Sequence, residues 1–444
     1  MKNIKLNKLW DALHSSYWFL PSVMVTLGIC LVIIMLFIDH QVNFSSIGLI
    51  YSGDAEGARG VLSVIASSMV SVTATAFSIT IVALQLASRN FGPRLLRNFM
   101  RDTGNQIVLG SFLSTFIYSL LILRSIYDKE DDLFIPNLSI TVGILLSLVS
   151  IGVLIYFIHH ASTIIQSSHV LESVSQDLYE SINRLFPEKI GHDQKYIQHN
   201  SINSDRDINI DFNSQSFPVT ANKNGYLQLI DDDRLIKIAR DYQIIIYIQA
   251  KPGEFIISDS VLAVVFPADK VNHKLSTIIQ KIFILGKERT NQQDIEFPIL
   301  QLVEIALRAI SPAVNDPFTA IYVIDRLCAG LCQLVQREFP SACRYDQDHK
   351  LRVIVKPVSF AKLLNDAFEQ IRQNLHSQTA VTIHLLEAIA TIASFTQNSH
   401  YHALLRHHAD MIKNSSQKSL PASEDFKNVQ QSYDCVIQTL SENL

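Results

Sequence analysis

Hydrophobic positions fall into two regimes along this chain. Up to residue 158 they form long unbroken runs, and beyond it they recur at the short periods of a water-soluble fold. Residues 17–38, 61–88, 106–123 and 134–157 approach or exceed the roughly 20 apolar residues that cross a hydrocarbon core of about 30 Å. None has Asp, Glu, Lys or Arg in its interior. Trp10, Tyr17 and Trp18 lie near the start of the first run, where aromatic rings favour the membrane interface. That run is too long for a signal-peptide core and no A-x-A site follows it, so it reads as a retained anchor.

After the fourth run the pattern predicts a helix over 161–185, then a polar, aperiodic stretch over 187–217. Strands are expected over 219–229, 242–250, 255–257 and 261–266, with a short helical stretch at 232–240. Helical periodicity then takes over at 274–285, 292–310, 317–339, 360–376, 380–395, 402–413 and 423–440. The expected fold is an α-helical membrane domain of four transmembrane helices plus an α+β cytoplasmic domain, with a small β-barrel-like module and a helical bundle. The boundaries are 1–160 for the membrane domain, 161–217 for a helix and polar linker, 218–270 for the β module and 271–444 for the helical part.

Charge sets the expected orientation. Lys2, Lys5 and Lys8 precede the first run, and Arg89, Arg94, Arg97 and Arg101 lie between the second and third. The other two connections offer Arg59, Arg124 and Lys129, the last among four acids. The basic excess places the N-terminus inside, and four spans return the C-terminus to that side. The expected location is the bacterial inner membrane, with both termini cytoplasmic.

Composition adds a few limits. The 444 residues are 48% hydrophobic and 18% charged, with a net charge of −4, so nucleic acid is not an expected partner. Five scattered cysteines without a C-x-x-C pair argue against a disulfide framework. Neither phosphate-binding glycine motif occurs, nor G-x-S-x-G, nor H-E-x-x-H. The histidines at 400, 402, 407 and 408 read as a His-rich surface. Cys328 and Cys332, four apart on a helix, read as small core residues rather than metal ligands. No catalytic residue, metal or cofactor is assigned, and the chain is not expected to be an enzyme.

Three polar patterns are candidates for function. Ser63, Ser67, Ser71, Thr75 and Ser78, with Gln85 beyond them, share one side of the second run, while Thr73 and Thr80 fall opposite. Such a face either lines a water-filled path or lets helices pack closely. Arg94, Arg97 and Arg101 share a helical face that either rests among anionic lipid headgroups or rings a pore mouth. Glu304 precedes Arg308 by four residues, the favourable order for an ion pair. Asp316-Pro317 has the chemistry of a helix start. With Asn315 these residues form either a structural cluster or a ligand site.

Two resemblances follow from these motifs. Gly225-Tyr226-Leu227-Gln228, Lys251-Pro252-Gly253-Glu254-Phe255 and Leu262 resemble the swapped-hairpin barrel of lipoyl and biotinyl carrier modules. The helical stretch stands where those modules carry their lysine, so the likeness implies a shape and no prosthetic group. GARGVLSVIASSMVSVTATAFSITIVALQLASRNFGPRLLRNFMRDTGNQIVLG and EIALRAISPAVNDPFTA are similar to the predicted bacterial membrane proteins called domain of unknown function 2254. This similarity implies four N-terminal spans and a soluble C-terminal domain, and supplies no activity. Two functions are expected on these grounds. One is an oligomeric ion channel or passive transporter lined by residues 61–88. The other is a membrane-anchored sensor or scaffold whose cytoplasmic domain binds a partner or small ligand. Lipids and further copies of the chain are the expected partners.

Overall fold

The computed structural model describes residues 17–41, 50–91, 102–129, 132–164, 167–186, 215–375, 378–420 and 422–442. It divides into two compact units, Met1–Val170 and Leu171–Leu444.

Among the described residues the first unit holds four long helices: α1 (Phe19–Gln41), α2 (Ala55–Phe91), α3 (Thr103–Ser125) and α4 (Asn137–Ile164). A short hairpin, β1 (Tyr127–Lys129) and β2 (Asp132–Phe134), joins α3 to α4. α3 is the central element and packs against the other three. Its buried side carries Val108, Phe112, Tyr118 and Ile122. It also carries the polar side chains that a membrane interior must satisfy. Thr115 hydrogen-bonds Ser150 of α4 at 3.1 Å, and the Tyr118 hydroxyl donates to the Ser139 carbonyl at 2.9 Å. Without water to take their place, such bonds fix helix register.

Carboxylates organise the helix ends. Asp39 at the end of α1 accepts from the Leu138 and Ser139 amides at 3.0 and 2.8 Å, and from the Ser139 hydroxyl at 2.5 Å. It thus caps the start of α4 from a distant part of the chain, where orphan amides and the helix dipole both favour an anion. Asp102 caps α3 through the Gly104 amide at 2.8 Å and meets His160 Nε2 at 2.6 Å. A side chain at 104 would collide with that imidazole, so glycine permits the approach.

The second unit begins within α5 (Ser167–Leu185) and is built on two sheets. The strands are β3 (Phe217–Thr220), β4 (Gly225–Ile230), β5 (Ile245–Ile248), β6 (Phe255–Ile256), β7 (Val261–Phe266), β8 (Phe283–Gly286), β9 (Cys343–Tyr345) and β10 (Leu351–Ile354). One sheet has the order β3-β7-β5-β10-β9, with β10 parallel to β5, and the other β6-β4-β8. α6 (Asp232–Asp241) and α7 (His273–Gln280) contribute to the same core, in which Leu227, Ile246, Val265, Leu275, Ile279 and Val353 are buried.

This corrects the expected small barrel: among the described residues no sheet closes. The expected strand over 219–229 is two strands belonging to different sheets, because residues 221–224 break it. The helix expected over 274–285 stops at Gln280. Phe283 and Leu285 then alternate inward as a strand, a period of two that the preceding helical pattern masks. β9 and β10 lie in a segment without a strand assignment from periodicity, and the parallel partner of β10 is about 100 residues away.

The helices α8 (Glu296–Ala309), α9 (Pro317–Val335), α10 (Phe360–Asn374), α11 (Thr379–Ser394), α12 (Ser399–Ser419) and α13 (Ser423–Glu442) complete the unit. α9 packs on α8 and α11, α8 on α10, and α11 on α13. The expected His-rich surface is also corrected. His400 and His407 are exposed, but His402 and His408 share the inner face of α12 with Leu405 and Ala409 and are buried. His402 Nε2 lies 2.9 Å from the Thr396 carbonyl and His408 Nε2 2.8 Å from Asn365 Oδ1.

Candidate functional site

In α2 the buried positions are Ala55, Ala58, Leu62, Ile65, Ala66, Met69, Ala76, Thr80 and Ala83. Small side chains dominate this stripe, which lets α3 and α4 approach closely. At 3.6 residues per turn, Ser63, Ser67, Ser71, Thr75, Ser78 and Gln85 sit about half a turn away from it. All six are exposed. The hydroxyl face therefore points away from its own bundle, and it is not the surface by which this chain packs its helices. Thr73 and Thr80 lie on the inner side, half-buried and buried.

The outward hydroxyls are locally satisfied. Ser71 donates to the Ser67 carbonyl at 3.1 Å, Thr75 to Ser71 at 3.0 Å, Ser78 to Ala74 at 2.8 Å and Ser67 to Val64 at 3.1 Å. With each proton turned onto the helix backbone, oxygen lone pairs are left facing outward. Arg94, Arg97 and Arg101 lie outside the described residues.

The polar cluster of the second unit separates into structural parts. Arg308 Nη2 meets Glu304 Oε1 at 3.4 Å within α8. Asp316 caps α9, accepting from the Thr319 amide at 3.1 Å and its hydroxyl at 2.6 Å. Asn315 takes a left-handed turn at φ 50° and accepts from the Gln378 amide at 3.1 Å. The expected helix start at Asp316-Pro317 is formed, and its carboxylate is engaged by that cap.

A denser ionic network lies between the β module and the helices. Asp294 meets Arg289 at 2.7 Å and Glu296 meets Lys251 at 2.7 Å, while Lys362 holds Asp366 one turn along α10. Gly253, at φ 87°, makes room for Asp294 and Arg289 where any side chain would collide with them. Burial pushes the carboxyls of Asp294 and Asp366 above the usual range, against the pull of their basic partners. Sequence periodicity gives no sign of this network, because its members come from three separate segments.

Between α9 and α11 the second unit opens a cleft of about 530 Å³. α9 contributes Asp325, Cys328, Ala329, Cys332 and Gln333. α11 contributes His384, Glu387, Ala388 and Thr391. His384 Nε2 lies 2.6 Å from Asp325 and its Nδ1 3.2 Å from Glu387. Cys328 and Cys332, expected to be core residues, are buried in the cleft floor, and the Cys328 thiol points to the Ala388 carbonyl at 3.6 Å. His384 and Glu387 carry no sequence motif, and the packing of α9 on α11 alone brings them to the thiols.

Long apolar helices that show their branched residues outward, around a central helix carrying satisfied polar groups, define a helical membrane protein with an attached α+β unit. The chain belongs to the family of predicted membrane proteins known as domain of unknown function 2254, whose model matches residues 14–391. It is similar to the uncharacterized proteins Rv1290c of Mycobacterium tuberculosis and Mb1321c of Mycobacterium bovis. Identity to each is 32% over 389 residues, which is 86% of this chain and 73% of either relative. No solved structure matches it.

Proposed function

We propose that this protein is an oligomeric, non-catalytic conduit of the bacterial inner membrane, in which copies of α2 surround the path. The observation that carries the reading is the outward direction of Ser63, Ser67, Ser71, Thr75, Ser78 and Gln85. In a lone subunit this face meets lipid, where outward lone pairs have no donor. Around a shared axis the same oxygens meet water and replace part of an ion's hydration. Four spans enclose little space in one subunit, so the path belongs to an assembly.

Among the described residues five helices are long and apolar enough to cross a membrane: α1 to α4 and α9. The proposal takes the first four as spans. In α9, 61% of the apolar window is buried within its own unit, against 17–50% in the others. α9 also carries adjacent Asp325 and Arg326 on its exposed side. Four crossings, with Lys2, Lys5, Lys8, Arg89, Arg94, Arg97 and Arg101 inside, give cytoplasmic termini. Arg94, Arg97 and Arg101 would hold anionic lipid headgroups beside the path.

The test is conductance of the purified protein in a planar bilayer. Unitary currents reduced by Ser71→Leu and Thr75→Leu support the conduit, as does labelling of cysteines at 67, 71 and 75 by a water-soluble thiol reagent. Silent bilayers from folded, oriented protein, with those cysteines unreactive, exclude it. The second reading, a membrane-anchored sensor, is favoured by the cleft between α9 and α11, and it survives that result.

A further inference from the structure

The floor of the cleft between α9 and α11 carries two free thiols side by side. Cys328 and Cys332 stand four residues apart on α9, so they share one face with their Cβ atoms about 5–6 Å apart. Both line the cleft, and each keeps 8% of its surface exposed, enough to meet a small solute from that side. The Cys332 thiol beside it, together with burial, pushes the Cys328 thiol up, so the two groups act on one another. The Cys328 thiol donates to the Ala388 carbonyl at 3.6 Å, a weak bond for an ion to displace.

The spacing selects what the pair can do. A disulfide needs Cβ atoms about 3.5–4.5 Å apart, closer than successive turns of a helix hold them. A shared metal ion, with two sulfur bonds of about 2.3 Å each, spans roughly 4.5 Å between sulfurs and leaves the helix undistorted. The kind of ion follows from the neighbours. His384 is no third ligand, since its Nε2 lies 2.6 Å from Asp325 and its Nδ1 3.2 Å from Glu387. Among the described residues no three His, Cys, Asp or Glu side chains converge on one point. Structural zinc asks for four ligands, whereas Cu(I) is soft, prefers thiolates and is satisfied by two of them. No Lys or Arg lines the cleft, and the half-exposed Asp325 and Glu387 give its mouth a negative potential that draws cations in.

We propose that Cys328 and Cys332 hold one soft monovalent metal ion, Cu(I), between their sulfurs at the floor of this cleft. The ion replaces both thiol protons, which leave to water. The inference concerns the second unit alone and stands whether or not α2 lines a conduit. It is tested without oxygen on the full chain in a non-ionic detergent, by titrating Cu(I) against the coloured chelator bicinchoninate. A control chain carrying Cys30→Ser, Cys343→Ser and Cys435→Ser lacks the other thiols and should bind one ion as tightly as the wild type. Adding Cys328→Ala and Cys332→Ala should weaken binding by about 100-fold or more, at least the cost of losing an outer-shell partner. Alanine suits a buried helical position, and melting in detergent checks that this variant folds. X-ray absorption of the wild type loaded with one equivalent of copper reads the ligands directly, whatever the fate of the variants, and should show two sulfur neighbours. Failure of the wild type to take Cu(I) from the chelator overturns the proposal. So does tight binding that survives loss of both thiols, or an absorption spectrum with nitrogen neighbours or a single sulfur.

Discussion

α2 and α9 have similar compositions and opposite construction. Both are long, apolar helices without an interior break, and by length and residue type alone either could cross a bilayer. In α2 the inward stripe is largely alanine, and Val64, Val70, Phe77, Ile81 and Val82 face outward. In α9 the branched residues Val323, Ile324, Leu327 and Leu331 are inside, and Asp325 and Arg326 are outside. Lipid is as apolar as leucine, so a membrane helix gains by close approach of small faces rather than by hiding large ones. Water reverses that preference, and the burial pattern of α9 is of that second kind. Which residues are buried, not how many are apolar, separates the two.

The strongest way to break this contrast is a charge inside α9. Ile324→Asp should destabilise the second unit by about 4 kcal/mol or more, because a buried unpaired carboxylate has no compensation. Loss of its cooperative melting transition in detergent is the expected readout, and a mild effect would mean that α9 is not a core helix.

Lysine scanning of the outward faces comes next. Phe77→Lys in α2 should cost about 2.5–3.5 kcal/mol in a membrane-insertion assay. Tyr322→Lys, on the 57% exposed side of α9, should change stability by only about 0.5 kcal/mol. Similar penalties at both positions would make α9 a fifth span.

Acid should distinguish the units as well. Burial, reinforced by Arg372 and His407, lowers the pKa of His408 from its ordinary 6.5 to about 4. A histidine depressed on folding contributes stability above pH 6.5 and loses it as pH falls toward 4. The second unit should therefore lose up to roughly 3 kcal/mol across that window. Thermal unfolding of wild type and His408→Gln at pH 7 and pH 4.5 measures it, and the variant should lack this part of the pH dependence. The smallest effect is expected at the helix start: Asp316→Ala removes the cap of α9 and should lower stability by about 1 kcal/mol.

Much of this architecture was legible in the sequence, and the remainder has identifiable causes. The four apolar runs show themselves by length alone, and the start of α9 by Asp316-Pro317. The spacing of Ser67, Ser71 and Thr75 reveals a shared face but not its direction, since direction depends on which neighbour α3 selects. Asp39 capping α4 is a contact across about 100 residues and leaves no local trace. The same holds for Cys328 with His384. Each is ordinary where it stands in the chain, and only the packing of two helices turns them into one cleft. The barrel expectation failed because β8, β9 and β10 complete the sheets from beyond the segment that resembled it.

The place of β10 also sets an order of events during synthesis. It lies between β5 and β9, and about 100 residues separate it from β5 along the chain. At roughly 5–20 residues per second, β5 leaves the ribosome about 5–20 s before its parallel neighbour exists. During that interval one edge of β5 is an open template for any passing strand. A chain that ends after β5 and before residue 351 keeps that edge permanently, so a stop codon in that interval should yield aggregate rather than a shorter soluble fragment.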